Sequence, residues 1–199
     1  MLELSNIYKV FNPNTVNEKI ALKNLSLTLN DGDFVTVIGG NGAGKSTMLN
    51  AIAGVWRVDA GSITIDGVDV TAMPEHRRAK FLGRVFQDPM MGTAAGMNIE
   101  ENLALAARRG KSRGLGWGIR KAERAEYREK LAMLELGLEN RMTTKVGLLS
   151  GGQRQALTLL MATLQRPKLL LWTSTPPPLT PRPPRKCFLS PIGSSTRTS

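Results

Sequence analysis

Apolar residues alternate with largely polar ones over the first part of the chain. Leu2 and Leu4, then Ile20, Leu22, Leu25, Leu27 and Leu29, keep this spacing, which is that of antiparallel strands buried on one face. Asn30-Asp31-Gly32-Asp33 reads as a turn. Phe34-Val35-Thr36-Val37-Ile38 is β-branched and nearly continuous in its apolar character, which predicts a strand buried on both faces. Ser62-Ile63-Thr64-Ile65 is a further alternating strand, closed by the turn at Asp66-Gly67. From residue 98 the period becomes helical. Asn98 is placed to cap, Glu101 sits at the third helical position and Gly110 closes the segment. A second helix is predicted over 120–136, with Glu126 four residues before Lys130 and Gly137 as its stop. Between the two, Arg108-Arg109-Gly110-Lys111-Ser112-Arg113-Gly114 reads as a solvated basic connection. No internal repeat is visible, and the first 171 residues read as a mixed α/β domain.

Two glycine-bearing motifs carry chemistry. Gly39-Gly40-Asn41-Gly42-Ala43-Gly44-Lys45-Ser46-Thr47 fits G-x-x-x-x-G-K-[ST], between an expected buried strand and an expected helix from Met48 to Gly54. Glycines in that setting let backbone N–H groups wrap a polyphosphate at a helix N-terminus, with Lys45 reaching the β/γ-phosphates and Ser46 a Mg²⁺ ion. A glycine-rich turn with a surface lysine is the plain alternative, and the flanking strand and helix weigh against it. The second motif is Leu149-Ser150-Gly151-Gly152-Gln153. Ser150 and Gln153 have capping-box spacing at the head of a helix predicted to run to Gln165, before Pro167. Its two glycines would let a phosphate approach that helix end, though an ordinary capped helix has the same pattern.

Taken together, these residues resemble the ATP-binding subunit of ABC transporters. The 39–47 segment is similar to that family's Walker A loop and 149–153 to its signature motif. Gln87, in Val85-Phe86-Gln87-Asp88-Pro89, stands where the family has its Q-loop glutamine. The resemblance covers residues 1–171 in order. It implies an α/β P-loop NTPase core of RecA-like type, with an antiparallel β subdomain and an inserted helical subdomain. The implied divisions are a nucleotide-binding core over 1–89, a helical subdomain over 90–149, and the signature helix with the start of the Walker B strand over 150–171. ATP and Mg²⁺ are the implied cofactors. Gly39, Gly40, Asn41, Gly42, Ala43, Gly44, Lys45, Ser46 and Thr47 would hold the nucleotide, and Lys45 and Gln87 would serve catalysis. Ser46 and Gln87 would meet the metal. Phe11 would stack on adenine, although a core aromatic is an equal reading of that residue. Ser150, Gly151, Gly152 and Gln153 would bind the γ-phosphate held by a second ATPase subunit in a head-to-tail dimer. Transmembrane permease subunits are the other implied partner, and the implied location is cytoplasmic, on the inner face of the cell membrane.

The pattern fails at one place. The family expects a buried strand ending in Asp-Glu, the Asp for Mg²⁺ and the Glu to polarise the attacking water. Here Leu169-Leu170-Leu171 is followed by Trp172-Thr173-Ser174-Thr175-Pro176-Pro177-Pro178, and prolines do not continue a central strand. No D-loop aspartate or switch histidine follows, and the single histidine, His76, reads as a surface residue. The genetic code offers a cause. Trp is TGG and every Thr codon begins AC, so the neighbouring frame across Trp172 and Thr173 must read GAC, Asp, preceded by an apolar codon. The same shift permits Glu next, and then His-Thr-Ala-Ala-Leu-Asp-Pro. Residues 172–199 therefore read as a disordered, out-of-frame tail, with a natural proline-rich linker as the alternative. Such a chain would lack the hydrolytic carboxylates, and loss of positioned proton transfer alone is worth about 10²–10⁴-fold in turnover.

Composition changes meaning at the same position. The 27 Lys and Arg against 16 Asp and Glu give +11, which on its own suggests a nucleic-acid or anionic-membrane partner. The final 28 residues, however, hold four of those positive charges, seven of the 11 prolines, the one cysteine (Cys187) and no acidic residue. A non-catalytic basic binder would also need aromatics interleaved with its basic face, and aromatics are 5% of the chain. A soluble ABC-type ATPase acting on DNA or ribosomes is the other alternative. Chromosome-maintenance types place a long coiled coil between the two halves, and Gln87 and Ser150 are only 63 positions apart; translation-factor types carry two such domains. One cysteine excludes a disulfide framework, and the start shows no signal-peptide pattern, so a soluble intracellular protein is expected.

Overall fold

The computed structural model describes residues 1–86, 88–111 and 118–173. Strands β1 (Leu2–Phe11) and β2 (Lys19–Leu29) pair antiparallel, as their alternation predicts, with Leu2 opposite Leu29 and Leu4 opposite Leu27. On its other edge β1 pairs with β3 (Ala60–Ile65), which turns back into the short β4 (Val68–Asp69). The sheet order is β2-β1-β3-β4. Its inward residues Leu2, Leu4, Ile63 and Ile65 share a core with Met48, Ala51 and Ile52 of helix α1 (Lys45–Ala53). Leu82 of strand β5 (Leu82–Phe86) and Leu171 of strand β6 (Leu169–Thr173) join the same core, and β5 and β6 pair in parallel.

A buried arginine locks α1 into this core. Arg78, in the single-turn α2 (Glu75–Arg78), is 1% exposed. Its Nη1 donates to the carbonyls of Ala51 and Ile52 at 2.6 and 3.0 Å, Nε to Met73 O at 2.7 Å and Nη2 to Thr71 O at 2.9 Å. The Ala51 carbonyl also accepts from the Gly54 N–H at 3.1 Å, so Arg78 adds to the backbone cap of α1. Burial holds the guanidinium pKa below its ordinary value, with Asp69 opposing that shift.

A second core unites the helical part. Ile99 and Leu103 of α3 (Ile99–Ala107), Tyr127 and Leu131 of α4 (Lys121–Ala132) and Leu157 of α5 (Gly151–Thr163) meet there. The predicted capping at α3 is present: the Glu101 carboxylate accepts from the Asn98 N–H at 2.7 Å. The Glu126–Lys130 pair on α4 closes at 3.0 Å. A bidentate contact ties α4 to α3, with Arg124 Nε and Nη2 donating to Glu100 at 2.7 and 2.8 Å.

Three expectations need correction. Residues 34–38 form no strand; Phe34 and Ile38 are 92% and 89% exposed. An apolar run becomes a central strand only through ladder partners, and β5 and β6 pair with each other rather than with it. The second helix ends at Ala132, short of 136, because Glu135 takes a left-handed backbone (φ 55°). Gly137 (φ 69°) then opens a single 3₁₀ turn at Leu138–Asn140. Within the basic connection Arg109 is not solvated: its Nη2 donates to Ala162 O and Gln165 O at 3.2 and 3.1 Å, closing the C-terminal end of α5. Positions 112–114 of that connection lie outside the described residues. The expected tail over 172–199 is described only at its first two residues, which are in a strand. Trp172 and Thr173 extend β6 opposite Val85 and Phe86, as suits two good strand formers. Positions 174–199 lie outside the described residues.

Candidate nucleotide-binding site

The loop at 39–44 turns into α1 through Gly42 and Gly44, both left-handed, at φ 84° and 82°. Gly44 is also pressed against β2: a Cβ there would lie 2.5 Å from the Ala21 carbonyl oxygen. Gly40 has no such neighbour, and its missing side chain leaves open space. Asn41 and Ala43 are exposed at the loop crest. Lys45 opens α1 and folds back over the loop, its Nζ donating to Gly39 O and to Gly40 O, the latter at 2.7 Å. Thr47 is half-buried beside Met48. The first-turn N–H groups of α1 face the loop, and together with the ammonium they make a site for anionic oxygens.

Ser46 opens onto a cleft of about 420 Å³ shared with Asn50, Arg84, Phe86, Asp88 and Thr173. Arg84 alternates with Phe86 on β5, so both project to one side. Its Nη2 donates to Asn50 Oδ1, and its guanidinium lies 4.5 Å from the centre of the Phe86 ring. Nη1 is 3.8 Å from the exposed Glu75 carboxylate, a weak pair. Nε is buried without a partner among the described residues. Burial lowers the Arg84 pKa and Glu75 opposes that shift. Thr173 ends β6 at the same cleft, its hydroxyl donating to Val85 O at 3.1 Å.

These groups decide what the cleft can hold. A hard divalent cation takes carboxylate, carbonyl and water oxygens. Among the described cleft residues there is one carboxylate, Asp88, while the strand end offers Thr173 and a guanidinium faces it. Gln87, the other expected metal and catalytic residue, lies outside the described residues. The donor set around Ser46 suits phosphate oxygens; toward Mg²⁺ the described residues offer the Ser46 hydroxyl and the Asp88 carboxylate, with no carboxylate at the strand end.

The remaining expected residues lie elsewhere. Ser150, Gly151, Gly152 and Gln153 form the head of α5, with a reciprocal capping box of 3.3 Å (Gln153 N–H to Ser150 Oγ) and 3.2 Å (Ser150 N–H to Gln153 Oε1). Both glycines are exposed, and none of the four residues lines the Ser46 cleft. Phe11, half-buried at the end of β1, packs edge-to-face on Trp56 with ring centres 4.2 Å apart and Lys9 5.6 Å away. Trp56, Asn50 and Arg84 were not singled out from sequence, because nothing local marks them. His76 is exposed, as expected.

A left-handed glycine loop, a lysine at its end and a helix head beyond it define a P-loop nucleotide-binding protein of α/β type. A family profile described as ABC transporter matches residues 22–173. The chain belongs to the ABC transporter family, among its ATP-binding subunits. It is 43% identical over 173 residues to a tyrosine transport ATP-binding protein of Clostridioides difficile, with 86% of this chain and 68% of that protein covered. A lipoprotein-releasing system ATP-binding protein of Caulobacter vibrioides is 35% identical, with 86% of this chain and 70% of the relative covered. A spermidine/putrescine import ATP-binding protein of Aggregatibacter actinomycetemcomitans is 33% identical, and there the chain spans 41% of the relative's length. Among solved structures, a dimeric ATP-binding cassette in a post-hydrolysis state with ADP and phosphate gives a TM-score of 0.70 at 31% identity, over 86% of this chain and 73% of that one.

Proposed function

We propose that the chain is the ATP-binding subunit of a transporter, with the nucleotide's polyphosphate held by residues 39–47. The observation that carries this is the posture of Lys45, whose ammonium lies on the Gly39 and Gly40 carbonyls of the loop. A phosphate entering there offers that ammonium stronger, charge-assisted partners in place of neutral carbonyls. Phe11, with Trp56 behind it, would supply the face for adenine. Residues 150–153 stand apart from the Ser46 cleft, so they would act on a nucleotide held by a second subunit, as a head-to-tail dimer requires. The two separate apolar cores support a distinction between a core over 1–89 and a helical subdomain over 90–149, with the segment 150–171 joining both: Leu157 of α5 lies in the helical core and Leu171 of β6 in the first. Transmembrane permease subunits would be the partner on the cytoplasmic membrane face, and coupling ATP binding to transport the role.

Hydrolysis is the weak step for this chain. Thr173 stands at the strand end where the family's metal-binding Asp is expected, and a neutral hydroxyl does not supply the charged oxygen a divalent cation takes. The family profile stops at that same residue, 173. Both support the reading of the residues beyond Leu171 as out of frame. Titration with a fluorescent ATP analogue, alongside steady-state phosphate release, tests the proposal. Binding that Lys45→Ala weakens at least about tenfold, with turnover at background, is expected. Binding unaffected by Lys45→Ala would overturn the assignment, and turnover at the rate of a full ATPase would overturn the deficiency.

A further inference from the structure

The Ser46 cleft carries a guanidinium, and a threonine at its strand end in place of a carboxylate, yet the family to which the chain belongs brings a metal with its nucleotide. We propose that in this chain Arg84 takes over part of the metal's work, neutralising the polyphosphate so that nucleotide binds with little dependence on Mg²⁺. The inference rests on the nucleotide-binding reading above and deepens it.

Three observations place the charge. Arg84 pairs with Leu171, and Phe86 pairs with Thr173, so Arg84 and Thr173 lie two residues apart on one face of the β5–β6 ladder. Asn50, which accepts from Arg84 Nη2, sits one helical turn beyond Ser46 on α1. The guanidinium is therefore held between the strand end and the helix that presents Ser46, on the cleft wall. Its packing on Phe86 at 4.5 Å fixes its plane.

The charge there is under-compensated. Glu75 is 3.8 Å away and 58% exposed, Asp88 on the same cleft accepts from the Met90 N–H and makes no ion pair with Arg84 among the described residues, and Arg84 Nε has no acceptor among them either. A carboxylate at position 173 would provide a counter-charge and a metal oxygen together. Threonine provides neither, which leaves the cation free to meet phosphate and repels a second cation at the same place. Ser46 adds a hydroxyl suited to a phosphate oxygen, whereas the Thr173 proton is given to Val85 O.

The test is binding of a fluorescent ATP analogue to the full chain, in excess Mg²⁺ and in EDTA. The affinity of the unaltered chain should agree within about threefold between the two buffers, while Arg84→Met should lose about tenfold or more in EDTA. Thr173→Asp should make binding depend on Mg²⁺, since it restores a metal oxygen and occupies the guanidinium. Affinity in the unaltered chain that collapses in EDTA would overturn the role of Arg84 and leave nucleotide binding standing. No binding in either buffer would overturn the nucleotide reading itself. Should circular dichroism show that Arg84→Met does not fold, Arg84→Lys decides: retained EDTA binding supports the charge, and binding restored by Mg²⁺ alone refutes it.

Discussion

Gly44→Ala and Gly40→Ala make a paired test of why the phosphate loop carries glycines. At Gly44 the backbone is left-handed, φ 82°, and an alanine there is strained by roughly 1–2 kcal/mol. Its Cβ would also lie 2.5 Å from the Ala21 carbonyl oxygen and 3.2 Å from Leu22 Cδ2. Backbone oxygen cannot rotate aside as a side-chain tip can. Either β2 moves away from α1 or the loop unwinds, and forced shifts of this kind cost about 1–3 kcal/mol. The two contributions together are roughly 2–5 kcal/mol, a large share of the 5–15 kcal/mol typical of a native domain. At Gly40 the φ is ordinary and no atom lies within 4 Å of the added methyl. Gly40→Ala should therefore leave the urea midpoint within about 0.5 kcal/mol of the parent. Its methyl occupies space a phosphate needs, so nucleotide affinity should fall. Urea unfolding followed by circular dichroism, with binding measured on the same samples, separates the cases. Equal stability losses in the two variants would refute the claim that Gly44 is needed for the fold and Gly40 for the ligand.

Arg78→Met should destabilise by about 2–4 kcal/mol in the same urea assay, because it removes the guanidinium donor from the Ile52, Met73 and Thr71 carbonyls and one of the two donors to Ala51 O. A loss below about 1 kcal/mol would show that water replaces the guanidinium. Arg124→Met strands the Glu100 carboxylate, 8% exposed, between α3 and α4. With Arg124 itself half exposed, about 1–2 kcal/mol is expected, below the range for a fully buried pair, and the loss should shrink when Glu100→Gln is added. Asp59 bonds Lys9 Nζ at 2.8 Å and the Val10 N–H at 2.7 Å. Desolvation raises its pKa, but these bonds and the Lys9 charge outweigh it, so the folded value lies below the unfolded one. Its stabilisation is thus present above the ordinary carboxylate pKa near 4 and is lost as pH falls through the folded value. Asp59→Asn should flatten the acid limb of a stability–pH profile below about pH 4 and leave the slope near neutrality unchanged.

What was legible in the sequence is what neighbours in sequence decide. The alternation of Leu2, Leu4, Ile63 and Ile65 names the face that becomes the sheet core. The Asn98–Glu101 and Ser150–Gln153 pairs are local capping devices, and both formed. The glycines at 42 and 44 could be read because a left-handed backbone is a property of single residues. Arg78, Arg84 and Arg109 could not be read in the same way. Each looks like surface charge, and each is defined by a partner far along the chain: Ala51 for Arg78, Asn50 for Arg84, Ala162 for Arg109.

The run at 34–38 and the end of β6 are one problem seen from two sides. Phe34-Val35-Thr36-Val37-Ile38 has the composition of a buried parallel strand, and Val35 and Val37 are still 48% and 41% exposed. In β6, Leu170 and Trp172 are 40% and 44% exposed, while Leu171 between them is buried. A parallel sheet is stable when both of its faces are covered and its edges are paired. Here the pairing stops at two strands among the described residues, and apolar side chains on either side of it stay open to water. The ladder that would cover them is the one that would carry the Asp-Glu end of the strand. On the proposed out-of-frame reading, a loss of turnover and the open apolar surface would have a single physical origin. A frame-restored chain, reading Asp then Glu at 173 and 174, should therefore gain solubility and turnover together. Recovery of turnover with the apolar surface still open, measured by dye binding to exposed hydrophobic patches, would separate the two and break that link.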